Sequence, residues 1–110
     1  MLKKIAKRIE KEINQAEDYC QQALLIKHDA SSTADLFTQL ASEEITHAKK
    51  LLREGQRLID DEQLKSYDDK NTTYDAAHYE KCKHIWDWEQ RLAVERIAEV
   101  EYKLSMYRSM

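Results

Sequence analysis

Apolar residues recur at threes and fours along most of the chain, the spacing of a helix with one face turned inward. From about residue 3 to 28 the stripe reads Ile5, Ile9, Ala16, Tyr19, Ala23 and Ile26. From about 34 to 64 it reads Phe37, Leu40, Leu51 and Leu58, and from about 74 to 108 Ile85, Trp88, Leu92, Tyr102 and Met106. Each stripe is interrupted by charge or imidazole: Glu12 in the first, Glu44 and His47 in the second, Glu95 and Glu99 in the third. Between stripes the rhythm fades. His28-Asp29-Ala30-Ser31-Ser32-Thr33 reads as a short break with an N-cap, and Asp60 to Thr73 as a loop ending in Thr72 or Thr73 as the next cap. The pattern predicts an all-α fold, an antiparallel bundle of three long helices, in which Gly55 weakens the second locally without ending it.

Composition narrows this further. A chain of 110 residues with no Pro, one Gly and 35% charged residues favours helix and makes one domain. The net charge is −3 with both signs mixed, so no basic patch calls for nucleic acid. No apolar run reaches membrane length, so no membrane partner is expected. The amphipathic start Met1-Leu2-Lys3-Lys4-Ile5-Ala6-Lys7-Arg8 lacks the apolar block of a signal peptide, which predicts a cytoplasmic protein. Cys20 and Cys82 have no partner at metal-ligand spacing and read as free, partly buried thiols.

Register brings the interrupting residues together. Counted from residue 30, Glu12 lies 18 positions before the turn, and Glu44 and His47 lie 14 and 17 after it. Counted from residue 70, Glu44 and His47 lie 26 and 23 before, and Glu95 lies 25 after. At about 1.5 Å per residue these groups share one level, with Glu99 a turn further along. Bare carboxylates held together resist ionising unless a cation intervenes, and inward-facing Lys or Arg near this level is scarce. Glu12, Glu44, His47, Glu95 and Glu99 are therefore candidate metal ligands, against the plainer reading of a metal-free polar core. A Glu-x-x-His pair at i, i+3 on an inward-facing bundle helix is the ligand unit of di-metal carboxylate proteins.

The first half of the chain resembles the ferritin-like, rubrerythrin-type proteins over about residues 5 to 60. Glu12 stands seven before Tyr19, and Glu43-Glu44-Ile45-Thr46-His47-Ala48 matches that family's second-helix element, preceded by Leu36-Phe37-Thr38-Gln39-Leu40-Ala41. The resemblance implies a di-iron centre, with manganese or zinc as alternatives, that reacts with oxygen or peroxide as an oxidase, ferroxidase or peroxidase-type oxidoreductase. It also implies Glu12 and His47 as terminal ligands and Glu44 as the bridge. The second half departs from the family pattern: there is no second Glu-x-x-His, and no Cys pairs for a rubredoxin-like iron.

Two completions of the site follow. One chain could use Glu12, Glu44 and His47 with Glu95 and Glu99 from its own third helix. Alternatively, two chains could meet by two-fold symmetry, each giving two Glu and one His, as encapsulated ferritins do with their helix pairs. The second is favoured, as a homodimer or higher homo-oligomer, because three helices leave a groove that a fourth should cover. The rival class is a metal-free helical bundle acting as a structural or interaction module. Trp86, Trp88, Tyr79 and Tyr102 read as core or interface anchors before any electron path. Tyr19 is the candidate redox-active or ligand-bonding tyrosine, and His78 and His84 read as solvated.

Overall fold

A computed structural model describes residues 2–68 and 76–109, helical apart from the turn at 27–30. Helix α1 spans Leu2–Ile26, α2 Ser31–Asp68 and α3 Ala76–Ser109. They form an elongated bundle of 65 × 17 × 17 Å. The first break is tighter than its composition suggests. The amides of Asp29 and Ala30 both donate to the Ile26 carbonyl, and the Ala34 amide donates to Ala30, so Ser31-Ser32-Thr33 form the first turn of α2 instead of capping it. Helix α2 also runs past Asp60, where a loop was expected to begin. Asp60 accepts from Gln56 and Asp61 accepts from Arg57, i, i+4 pairs that support the helix where the break was expected, and α2 continues to Asp68. The cap expected at Thr72 or Thr73 lies outside the described residues.

So short a turn makes α1 and α2 antiparallel, and their packing is the most extensive in the molecule. Its basis is a heptad of small residues. Ala34, Ala41, Ala48 and Gly55 recur every seventh position of α2 and are all buried, and Ala16 and Ala23 answer from α1. Small side chains bring the two backbones close, and Ile9, Ile13, Cys20, Ile45 and Ile59 fill the space on either side. Burial pushes the Cys20 thiol above its ordinary range, and both cysteines are free. Among the described residues no helix is long and apolar enough to cross a membrane.

Helix α3 runs antiparallel to α2. The Tyr107 hydroxyl donates to Asp35 (3.1 Å), Lys49 pairs with Glu101 (3.1 Å), and the Trp86 indole donates to Gln56 (3.1 Å). Its buried line is Tyr79, Trp86, Ala93, Ile97, Val100, Leu104 and Tyr107. This corrects the sequence expectation. Ile85, Trp88, Leu92, Glu95, Glu99, Tyr102 and Met106 face solvent, Trp88 at 65% and Tyr102 at 66% exposure. The physical reason is charge: one seam holds two unpaired carboxylates and the other holds none, and burying the carboxylates would cost more than exposing the apolar residues between them.

Helix α2 is rotated in the same sense. Phe37, Leu40, Leu51 and Leu58 are only half-buried, because the alanine line beside them takes the centre.

Candidate metal centre

The polar residues of α1 and α2 meet on the side of the hairpin away from α3. Glu12 is 3% exposed, held there by the close approach of the two backbones around Ala16 and Ala48. Glu44 is half-buried and His47 exposed one turn on, both on the edge of α2 that borders α1. His47 Nδ1 stands 3.8 Å from Glu12 Oε2 and 3.9 Å from Glu44 Oε2. One ligand atom from each of the three residues lies within 4.8 Å of the other two.

Hydrogen bonding divides the carboxylate oxygens. Glu12 Oε1 accepts from Arg8 Nε at 2.9 Å, an i, i+4 pair in which the guanidinium is largely in solvent. Glu12 Oε2 and Glu44 Oε2 are buried without a hydrogen-bond partner. Buried polar atoms are nearly always satisfied, so two orphaned carboxylate oxygens at one imidazole nitrogen need a cause. The spacing exceeds a hydrogen bond. A first-row metal ion at about 2.1 Å from each donor would need its donors roughly 3.0–3.5 Å apart. The two carboxylates would each have to close on His47 by a few tenths of an ångström, and the edge of the set that reaches up to 4.8 Å by more than about one ångström, a movement within reach of side-chain rotation. Two oxygens and a nitrogen of this kind suit iron, manganese or zinc.

Arg8 is the residue the sequence pattern missed. It lies off the apolar stripe and reads as solvated, yet its spacing of four before Glu12 was the available signal. The scarcity of cations at this level is corrected accordingly: one reaches Glu12 from the rim.

Glu95 and Glu99 do not join the cluster. They sit at the expected height but on the outer face of α3, with the bundle between them and His47. Tyr19 stacks on Phe37, ring centres 5.9 Å apart and 19° from parallel, on the same open face as Glu12. Trp86 and Tyr79 are core residues of α3, while Trp88 and Tyr102 point away, so these four make no path towards His47. His78 Nε2 lies 3.6 Å from the Cys82 thiol on the exposed side of α3, and His84 is exposed.

No protein-family model, curated protein or solved structure matches the chain.

Proposed function

We propose that this protein is a ferritin-like iron binder whose metal centre is completed by two copies of the chain. The observation that carries the reading is the pair of orphaned oxygens, Glu12 Oε2 and Glu44 Oε2, turned towards His47 Nδ1 in a face that is only half covered. Around that face lie half-buried Ile5, Tyr19, Phe37, Leu40 and Leu51. A two-fold related hairpin laid on it would bury those residues and bring the ligand set to four Glu and two His. Completion within one chain loses its support, because Glu95 and Glu99 are outside.

The residues divide the work as follows. Glu44 and Glu12 supply negative charge and oxygen donors, and His47 supplies a neutral nitrogen through Nδ1. Arg8 holds one Glu12 oxygen and leaves the other free for the ion. The apolar rim excludes water and so strengthens each charge interaction inside. Bound iron would supply one-electron redox chemistry towards oxygen or peroxide, which makes a ferroxidase or peroxide-reducing oxidoreductase the activity to test.

The test is anaerobic titration of chelator-stripped protein with Fe(II), followed by exposure to air. Saturable binding at one ion per chain, lost in both Glu44→Ala and His47→Ala, supports the proposal. A protein that takes up no metal, or whose uptake survives both substitutions, would leave the rival reading: a structural polar cluster closed by the Arg8–Glu12 pair.

A further inference from the structure

The outer face of α3 is a second apolar seam, on the opposite side of the bundle from His47. Ile85, Trp88, Leu92, Tyr102 and Met106 are each 42% exposed or more, and with Glu95 and Glu99 they keep an unbroken three-four alternation from 85 to 106. The buried line of Tyr79, Trp86, Ala93, Ile97, Val100, Leu104 and Tyr107 runs beside it at spacings of seven and then of three and four, so α3 carries apolar residues on two sides. Among the described residues only the inner side is covered, with Leu92 at the border where it lines the groove against Ile9 and Ile13 of α1. Tryptophan and tyrosine so exposed, in one stripe, are uncommon on a face that meets only water.

Charge on this face selects the occupant. Glu95 and Glu99 stand at i, i+4, a like-charge repulsion, and Arg91 stands at the edge of the stripe one turn before Glu95. None of the three enters an ion pair among the described residues. A parallel copy of α3 would set Glu95 and Glu99 against their own equivalents. An antiparallel copy with its two-fold between Ala93 and Val94 does the reverse. It sets Ile85 opposite the partner's Tyr102, Leu92 opposite the partner's Glu95 and Trp88 opposite the partner's Glu99, and it places each Arg91 between the partner's Glu95 and the partner's Glu99. The glutamate stems then pack while their heads meet the guanidinium at the rim.

We propose that the outer face of α3 is a homotypic interface, an antiparallel pairing with a second copy of this chain held by Trp88 and Leu92 and registered by Arg91 against Glu95 and Glu99. The pairing is independent of the Glu12–Glu44–His47 face, so it persists in chelator.

Sedimentation velocity on the full chain in chelator, across a range of concentrations, tests it. The wild-type chain self-associates, and Trp88→Lys at least halves the mass of the assembly with helicity unchanged by circular dichroism. Arg91→Glu weakens association by roughly tenfold or more, since it faces two carboxylates with a third. Arg91→Glu combined with Glu95→Arg and Glu99→Arg restores it, because the charges are exchanged and the register kept. A wild-type chain that stays single, a mass indifferent to Trp88→Lys, or a triple variant no better than Arg91→Glu would each overturn the proposal.

Discussion

Gly55 lies directly beneath the indole of Trp86: a Cβ built on the glycine would overlap the six-membered ring. The contact is where α3 docks on α2, fixed by the hydrogen bond from Trp86 Nε1 to Gln56. Gly55 is therefore kept by packing, which overrides its poor helix propensity.

Replacing it tests that order of effects. In an exposed helix Gly→Ala gains about 1 kcal/mol. Here the methyl forces the indole outward, and overpacking of this kind costs about 1–3 kcal/mol. Gly55→Ala should lower unfolding stability by about 1–2 kcal/mol in urea denaturation. Adding Trp86→Leu, which vacates the space, should return part of the loss. A stabilised Gly55→Ala would show that the ring moves freely.

Metal should stabilise the fold through Glu12, Glu44 and His47. At a hundredfold excess over Kd, a ligand that binds only the folded chain adds about 2.7 kcal/mol. Thermal unfolding with and without Fe(II) or Co(II) should show that gain in the wild-type protein and not in His47→Ala. In chelator, Glu44→Ala should be neutral or stabilising by up to about 1 kcal/mol, since it removes an unsatisfied buried oxygen. Destabilisation in chelator would mean that Glu44 serves the fold.

Arg8 should matter most when metal is absent. Without it Glu12 is a buried carboxylate with no partner, and Arg8→Ala should cost about 1–2 kcal/mol in chelator, less than a fully buried pair because the guanidinium is mostly in water. Bound metal replaces the lost charge, so the deficit should shrink when the site is loaded. An equal deficit in both states would assign Arg8 a packing role only.

Stability should fall at alkaline pH. Burial holds Tyr79 and Tyr107 above the ordinary tyrosine range, and for Tyr107 the hydrogen bond to Asp35 acts in the same direction. A raised folded pKa means that the stabilisation is intact below the unfolded value of about 10 and is lost as pH rises through the folded one. Melting temperatures measured from pH 8 to 11.5 should decline above about pH 10, and the decline should be shallower in Tyr79→Phe and Tyr107→Phe. A flat profile would show that both hydroxyls ionise freely in the native state.

Legibility differed between the two halves of the chain. In α1 and α2 the turn is so short that counting from it places Glu12 beside His47, and the i, i+3 spacing of Glu44 and His47 is a property of any helix. The alanine–glycine heptad of α2 was equally visible in the letters, but hydrophobic patterning gives alanine little weight. The half-buried leucines beside it were read as the core for that reason. In α3 both seams have the period of a buried face, and weighing Glu95 and Glu99 as costs of burial would have favoured the correct one.

Three helices and the convergence of Glu12, Glu44 and His47 were determined by the sequence alone, because local spacing and a tight reversal leave the chain little freedom there. Which side of α3 turns inward was decided only by tertiary structure. A helix with two apolar seams can bury either, and the outcome rests on Trp86 meeting the backbone at Gly55 while Glu95 and Glu99 stay in water. That one rotation carries both glutamates away from Glu12, Glu44 and His47 and leaves Trp88 and Tyr102 exposed on the outer face of α3.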